Sequence, residues 1–246
     1  MKKYELTNET KVINGVELHR IKALESFGSV EKGELGGWIE SEKNLSQYGN
    51  AWVGGNATVC ENARVGGNAT VRGNAWVIGN ATVGENATVG GDATVCGNAT
   101  VREDARVRGN ARVGGNTIIG GYATVGEYAT VGGRAIIDGN AVVRENATVF
   151  ENAVVRGDAR VRGNARVGGD ARVFRKADYI VFQNWWSSGR FFTWTRSNNK
   201  WSVGCFYGSG EELIAKAYKD SEKSGREYER VVKYVESILK KINNNK

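Results

Sequence analysis

The stretch from Ala51 to Val173 repeats one six-residue unit, and this repeat constrains the fold more than any other feature of the chain. Ala occupies position 51 and every sixth position to 171, with Thr117 as the exception. Val or Ile follows two residues later each time, and no residue is inserted between units. A fixed short period is typical of a solenoid, in which each coil buries its apolar side chains against neighbouring coils.

The spacing within the unit predicts short strands. Side chains two residues apart point to the same side of a strand, so Ala and Val face the interior and the residue between them faces solvent. Gly, Glu, Asn and Asp fill the rest of the unit, where they favour tight corners. The absence of proline from the whole chain fits strands that all donate backbone hydrogen bonds.

The unit resembles the hexapeptide repeat of left-handed parallel β-helices, as in the run Ala51-Trp52-Val53-Gly54-Gly55-Asn56. The resemblance implies three units per triangular coil, so that residues 18 apart stack, and about seven coils. We therefore predict a mainly β fold built on a single-stranded left-handed parallel β-helix over 51–176. An N-terminal β-hairpin cap and first coil would occupy 1–50, and a small C-terminal α+β module would occupy 177–246.

Both flanking segments lose the six-residue period and predict other elements. The run from Lys11 to Leu18 alternates around an Asn-Gly pair, which favours a type I′ hairpin that covers the first coil. The C-terminal segment predicts a three-stranded meander over 178–182, 190–196 and 200–207. A capping box at Ser209–Glu212 then predicts one helix, and a second helix follows from the apolar stripe Tyr228, Val231, Val235, Ile238 and Ile242.

Short motifs in the flanks carry a second resemblance. Leu18-His19-Arg20-Ile21, Gly36-Gly37-Trp38-Ile39 and Asn44-Leu45-Ser46 resemble the opening of YdcK-type transferase-like proteins. The whole architecture, with Gly204-Cys205-Phe206, resembles uncharacterised hexapeptide-repeat proteins of phages and prophages. This resemblance implies a phage or prophage accessory protein without an assigned chemistry.

The distribution of charge and cysteine narrows the class of protein. Of a formal net charge of +7, most arises in residues 174–246, which hold 14 basic and 8 acidic groups and permit an anionic partner. No apolar run reaches the roughly 18 residues of a membrane span, and no signal-peptide core follows Met1, so we expect a cytoplasmic protein without a membrane partner. The resemblance to phage and prophage proteins implies that this cytoplasm is that of a bacterial host cell. Cys60, Cys96 and Cys205 lack the paired spacing of a metal site or a disulfide. We expect no metal site and no cofactor.

Basic and aromatic residues toward the C-terminus form the candidate ligand site. Aromatic faces interleaved with cations suit bases, sugars and phosphates, but the tryptophans equally suit the core of a small domain, and both interpretations stay open. The candidate ligand-binding residues are Arg156, Arg160, Arg162, Arg166, Trp185, Trp186, Arg190, Trp194, Arg196 and Trp201. A separate column of arginines, at 72, 108, 144 and 162, either binds phosphates or is balanced by glutamates on neighbouring corners.

Outward-facing apolar residues indicate an interface in the middle of the repeat. Residues 118, 136 and 154 form an apolar ladder, and the turn consensus is lost at 122, 128 and 134 in the same region. Exposed contiguous apolar surface usually marks an interaction site. We therefore expect an interface at Ile118, Tyr122, Tyr128, Arg134, Ile136 and Val154, either of a homo-oligomer (a dimer or a trimer) or with a partner protein. A ligand site and simple sequence drift are the alternatives.

Many hexapeptide-repeat β-helices are acyltransferases with a catalytic histidine, and the resemblance implies that activity. The coil contains no histidine, however, and His19 in the cap is the only one in the chain. We therefore predict no catalytic residue and a non-enzymatic binding protein, with counter-defence as the sharpest hypothesis: sequestering an anionic nucleotide signal or docking on a host immune protein. The alternatives are an acyl-CoA-dependent acyltransferase or a structural or carbohydrate-binding phage component; nucleic acid is a less favoured partner.

Overall fold

The computed structural model describes residues 2–186 and 188–244, with side chains in the C-terminal helix described as far as 241. The chain forms two compact units, residues 1–176 and 177–246. The predicted mainly β fold is confirmed: a parallel β-solenoid with antiparallel strands at its N-terminus, and a C-terminal module of helices and an antiparallel sheet. Among the described residues, no helix combines the length and the apolar character needed to cross a membrane.

Strands β1 (Tyr4–Ile13) and β2 (Val16–Ala23) form the predicted antiparallel hairpin. The Asn and Gly of its turn have φ values of 50° and 81°, as a type I′ turn requires. Strand β3 (Leu35–Ile39) pairs antiparallel with β2 on one edge and parallel with Thr58–Val59 on the other. The hairpin therefore extends one sheet of the solenoid and covers the edge that the first coil would otherwise expose.

Twenty-one two-residue strands, β4 to β24, build the solenoid within the described residues, one strand for each six-residue unit. In chain order they are Trp52–Val53, Thr58–Val59, Arg64–Val65, Thr70–Val71, Trp76–Val77, Thr82–Val83, Thr88–Val89, Thr94–Val95, Thr100–Val101, Arg106–Val107, Arg112–Val113, Ile118–Ile119, Thr124–Val125, Thr130–Val131, Ile136–Ile137, Val142–Val143, Thr148–Val149, Val154–Val155, Arg160–Val161, Arg166–Val167 and Arg172–Val173. Short 3-10 turns lie before and after them, at Glu42–Asn44 and Lys176–Asp178.

Parallel pairing sorts these strands into three sheets, which we name by their first two-residue strand. The β4 face holds every third strand from β4 to β22, the β5 face those from β5 to β23, and the β6 face those from β6 to β24. Paired residues are 18 apart, as predicted; Thr88, for example, pairs with Thr70 and Arg106. The β5 face also contains β3, so the solenoid has about eight turns, one more than the repeat alone predicts.

Ala and Val side chains fill the interior of the solenoid. Every inward Ala of the repeat is fully buried, and each inward Val or Ile is at most 2% exposed. Burying one such Val or Ile side chain stabilises the fold by about 1.5–3 kcal/mol. Thr117, which replaces Ala, is also fully buried, and its hydroxyl oxygen has no hydrogen-bond partner among the described residues.

Asparagine side chains form hydrogen-bonded ladders along the corners. On one corner the Nδ2 of Asn62 donates to the Oδ1 of Asn80 at 3.1 Å, and the ladder continues to Asn98 at 2.9 Å and to Asn116 at 2.8 Å. Each bond joins neighbouring coils at the position where the repeat favours Asn. The ladder ends at the next coil, because Arg134 occupies that position.

The C-terminal unit contains a sheet of four antiparallel strands in the order β25-β26-β27-β28, rather than the predicted three. They are Tyr179–Gln183, Phe191–Thr195, Lys200–Val203 and Phe206–Gly208. The predicted third strand, over 200–207, is a hairpin. The chain reverses there because Gly204 adopts a φ of 57°, which other residues rarely tolerate.

Two helices follow this sheet. Helix α1 (Gly210–Asp220) begins at the predicted capping box, in which the Ser209 Oγ accepts from the Glu212 N–H at 3.2 Å and the Glu212 Oε2 accepts from the Ser209 N–H at 2.7 Å. Helix α2 spans Glu222–Asn244. Of its predicted apolar stripe, Val235 is buried, while Tyr228 and Val231 pack partly buried against the same core. Ile238 is half-buried, and the side chain of Ile242 lies outside the described residues.

Candidate functional site

The structure divides the predicted C-terminal tryptophan cluster between core and surface. Trp194 and Trp201 are each 2% exposed and pack with Phe192 in the core of the C-terminal unit. The indole nitrogen of Trp194 donates to the Asn199 Oδ1 at 2.8 Å. Trp186 packs partly buried against the same core, whereas Trp185 is 83% exposed. The predicted ligand surface therefore does not include Trp194 and Trp201, because this small sheet uses them as core.

The described basic residues Arg190 and Arg196 of this unit lie in different surroundings. Arg190 is exposed and lines a cavity of about 20 Å³ together with Phe206 and Tyr228. This volume holds at most a single water molecule. Arg196 is half-buried, and its backbone N–H donates to the Asp178 carbonyl oxygen at 2.8 Å.

The predicted arginines of the last coils lie on different parts of the solenoid. Arg156 pairs with Asp138 at 3.4 Å on the corner between the β6 and β4 faces. Arg166 lies on the β5 face, with its guanidinium carbon 5.4 Å from the centroid of the Phe150 ring. Arg160 lies on the β4 face, and Arg162 lies on the corner that follows it. Of these four arginines, only Arg160 and Arg162 lie along the same edge of the solenoid.

The predicted interface residues are likewise brought together only in part. Ile118, Ile136 and Val154 pair in register on the β6 face and are half-buried, which confirms that they form one ladder. Tyr122 and Tyr128 are 69% and 66% exposed, and each occupies a different corner. Arg134 occupies the third corner. The three residues therefore form a ring at one level of the solenoid instead of extending the ladder.

A different cationic surface emerges along the corner between the β4 and β5 faces. We call it the arginine edge; it consists of Arg72, Arg106, Arg108, Arg144, Arg160 and Arg162. Because residues 18 apart stack, the sequence already predicted that the arginines at 72, 108, 144 and 162 align. Arg106 and Arg160 join them because they stand two residues earlier, on the outward position of the β4 face.

The N-terminal half of the arginine edge encloses a cavity of about 360 Å³. It is lined by Arg72, Thr88, Gly90, Gly91, Arg106, Val107 and Arg108. The space exists because position 90 has no side chain between two arginines in its column. A Cβ built on Gly90 would lie 3.5 Å from the Arg72 Cγ and 3.7 Å from its Nε, so the Arg72 side chain lies over this glycine.

The arginines of this cavity lack acidic partners. Arg72, Arg106 and Arg108 form no ion pair with any described residue, whereas Arg144, farther along the edge, lies 3.9 Å from Glu127. No acidic side chain belongs to the lining as described, and Asp92, next to Gly91 in sequence, accepts a hydrogen bond from the Asn74 Nδ2 at 2.8 Å. Three guanidinium groups without an ion pair among the described residues, around one concave space, produce a positive potential that attracts anions.

A larger cavity, of about 530 Å³, lies where the first coil meets the β6 face. Its lining includes Lys43, Tyr48 and Arg64, and Tyr48 is 86% exposed. Glu42 also lines it, which offsets part of its positive charge. The smaller cavity on the arginine edge therefore concentrates positive charge more strongly.

The only histidine of the chain lies away from both cavities. His19 is in β2, half-buried, and pairs with Ile39 of β3. It belongs to the lining of neither cavity. The arginine-lined cavity thus contains guanidinium, hydroxyl and backbone groups, which bind anions but do not exchange protons near neutral pH.

Fold and cavity together define the class of this protein: a β-solenoid of six-residue repeats with an arginine-lined cavity on one edge. A family model described as the YdcK β-solenoid repeat matches residues 63–79, about one coil. This match and the parallel solenoid fit the hexapeptide-repeat and YdcK-type β-helix proteins, as the sequence predicts. A comparison with curated proteins found no match.

Proposed function

We propose that this protein is a non-enzymatic binding protein whose solenoid binds a phosphorylated small molecule in the arginine-lined cavity. The observation that carries the proposal is that Arg72, Arg106 and Arg108 line one concave space without acidic partners. Guanidinium groups bind phosphate oxygens in pairs, with stronger hydrogen bonds than neutral donors make. Such a site recognises mainly the anionic group of a ligand and contributes less to recognition of the rest of the molecule.

The dimensions of the cavity support a ligand of nucleotide class. Its volume of about 360 Å³ falls in the range of small-molecule sites. Thr88 and Arg106 pair on adjacent strands of the β4 face, so their side chains emerge about 5 Å apart. This row offers a hydroxyl and a guanidinium to a sugar or a second phosphate beside the phosphate held at the corner.

The lining also supports binding in preference to catalysis. It contains no carboxylate, imidazole, thiol or amine among the described residues, so a general base for acyl or phosphoryl transfer is absent there. This property agrees with the sequence argument that the coil lacks histidine. No feature of the cavity supports the acyltransferase interpretation.

The resemblance to phage and prophage proteins is the basis on which we also propose a biological role. In that setting the ligand would be an anionic nucleotide signal of a bacterial host, sequestered in the cytoplasm as counter-defence. Docking on a host immune protein is the other form of the same role, for which the ring of Tyr122, Tyr128 and Arg134 offers exposed contact groups. Both forms are proposals that rest on the sequence resemblance.

Titration calorimetry with a panel of phosphorylated compounds tests the binding proposal. The panel would contain inorganic phosphate, pyrophosphate, nucleoside mono-, di- and triphosphates, and cyclic nucleotides. We expect at least one member to bind, with an affinity that falls as salt rises because ions screen the guanidinium groups.

The variant Gly90→Ile would fill the cavity, since an isoleucine already occupies the equivalent position at Ile78. We expect binding to weaken by about tenfold or more. Gly132→Ile is the matched control, because a Cβ there meets no atom within 4 Å and the residue lies on another corner. Absence of binding by every member of the panel, or equal affinity in the two variants, would refute the proposal.

A further inference from the structure

The corners of the solenoid contain a recurrent oxyanion site that the chain fills with its own carboxylates. The fifth residue of each unit has a left-handed backbone, for example φ of 59° at Glu61 and 69° at Gly91. In several coils its N–H donates to a glutamate carboxylate from the coil before. The pairs, donor first, are Glu61–Glu40 at 2.6 Å, Gly79–Glu61 at 2.8 Å, Glu103–Glu85 at 3.0 Å and Gly163–Glu145 at 2.7 Å, with Gly121–Glu103 and Gly169–Glu151 as further examples.

These bonds show that this N–H can bind a carboxylate. Six corners place a carboxylate oxygen on it, and in five of them the glutamate stands 18 residues before the donor. The N–H at the fifth position is therefore a preformed donor to an oxyanion, as in other concave arrangements of backbone N–H groups.

The N–H of Gly91 is an unfilled example of this site inside the arginine-lined cavity. The residue one coil before it is Gly73, which has no side chain, and the Gly91 N–H donates no hydrogen bond within the described part of the chain. Gly91 lines the cavity together with Arg72, from the coil before, and Arg108, from the coil after. Backbone donor and guanidinium groups thus face one space.

We propose that the Gly91 N–H, with the guanidinium groups of Arg72 and Arg108, binds a single phosphoryl group of the ligand. This inference rests on the proposed function and specifies which groups of the cavity bind the phosphoryl group. A terminal phosphoryl group has three equivalent oxygens, which match one backbone donor and two guanidinium groups. The ligand class that we propose is a phosphate monoester or a terminal phosphate.

The unfilled N–H of Gly97 lacks the surrounding charge. Gly97 is also preceded by a glycine one coil before, Gly79, and its N–H likewise has no partner among the described residues. The side chains at the fourth position of its column are Ile78 and Cys96, so no cation lies beside it there. The pair Gly73 and Gly79 therefore supplies a test variant and a matched control.

The decisive variant is Gly73→Glu, which would place a carboxylate on the Gly91 N–H as Glu61 does on Gly79. Gly79→Glu makes the same change at a corner whose fourth positions next to Gly97, at 78, 96 and 114, hold no arginine, and both glycines have a φ of 73°. Glutamates adopt a similar backbone at equivalent positions, for example φ of 56° at Glu85. A Cβ at Gly73 would lie 2.8 Å from the Gly91 carbonyl oxygen, and one at Gly79 would lie 3.0 Å from the Gly97 carbonyl oxygen, so both variants require a similar small shift of the corner. We expect Gly73→Glu to weaken pyrophosphate binding by about tenfold or more and Gly79→Glu to leave it unchanged.

Two further measurements separate occupation of the N–H from the added negative charge. Gly73→Gln presents a neutral carbonyl oxygen to the same N–H, and we expect it also to weaken pyrophosphate binding relative to Gly79→Gln. In the wild-type protein, titration with pyrophosphate should shift the amide resonance of Gly91 and leave that of Gly97 unmoved.

The outcomes distinguish this inference from the proposed function. If no phosphorylated compound binds the wild-type protein, both are overturned. If pyrophosphate binds and Gly90→Ile blocks it, but Gly73→Gln binds normally and the Gly91 amide does not shift, the proposed function stands and this inference is wrong. Loss of binding in Gly73→Gln together with a shifted Gly91 resonance supports both.

Discussion

The Asn44 side chain donates a hydrogen bond to the backbone carbonyl oxygen of Ala63 at 2.9 Å from a fully buried position. It donates a second to the Glu61 carbonyl oxygen at 3.0 Å, and its Oδ1 accepts from the Ser41 N–H at 2.9 Å. One side chain thereby satisfies three backbone groups where the first turn of the solenoid has no strand to pair with them.

Replacing Asn44 by alanine should destabilise the protein substantially. Three backbone groups would lose their partner, and we expect the free energy of unfolding to fall by about 2–4 kcal/mol. Urea denaturation measures this change. The control is Asn62→Ala, an exposed ladder position, for which we expect a loss of less than about 1 kcal/mol; equal losses in the two variants would contradict the assigned role.

The stability of the solenoid should increase with pH above 8 because of Lys3. Burial lowers the pKa of Lys3 to about 8, an effect that the nearby Glu25 partly opposes. Between pH 8 and about 10.5 the unfolded chain therefore binds more protons at this residue than the folded protein, so stability rises with pH across this window. The neutral amine still donates to the Gly49 and Ala51 carbonyl oxygens, at 3.1 and 2.8 Å.

Comparison of wild type with Lys3→Met isolates this effect, since the variant lacks the titrating group. Denaturation at pH 7.5 and pH 9.5 should show the wild-type protein gaining stability relative to Lys3→Met at the higher pH. A difference that does not change between the two pH values would show that Lys3 is not responsible.

Cys60 and Cys205 should differ strongly in reactivity. Burial, reinforced by Glu61 and Glu40, raises the pKa of Cys60 to about 11, and its side chain is buried. Cys205 is exposed in the turn between β27 and β28. At pH 8 iodoacetamide should modify Cys205 rapidly and Cys60 only after unfolding, as mass spectrometry of peptides would show. A Cys205→Ser variant that still reacts at Cys60 at the wild-type rate of Cys205 would refute this order.

The apolar ladder on the β6 face is expected to mediate self-association. Changing Ile118 and Ile136 together to aspartate places charge on two paired strands, and light scattering should then show a lower mass than for wild type. Thr130→Asp, at an exposed position of the β5 face, is the control. An unchanged mass in the double variant would end the self-association hypothesis.

The repeat made most of the fold predictable. Alternation of Ala51 with Val53, continued every six residues, specifies which side chains face inward, and residues 18 apart pair as that period requires. The Asn-Gly hairpin and the Ser209 capping box were likewise predictable, because turn and cap preferences act over a few neighbouring residues. The architecture was therefore predictable from local turn and cap preferences and from the strict six-residue period.

The aromatic C-terminal unit was less predictable. Its sequence does not say whether Trp194 and Trp201 face solvent or core, since tryptophan suits both places. Only packing against the helices, with Leu213 and Val232 in the same core, settles their burial. The additional strand arose in the same way, because a single positive φ at Gly204 divides a run that otherwise alternates well.

For the candidate site, the six-residue period predicts that Arg72 and Arg108 share a column with a glycine between them. It did not determine that they lack partners while Arg144 lies near Glu127 and Arg156 near Asp138. The six-residue period specifies where each Cα lies. A long arginine side chain can reach partners on its own coil or on the next one, and which partner it contacts depends on distances in three dimensions. The tertiary structure alone therefore decided which arginines are neutralised and which leave the cavity positively charged.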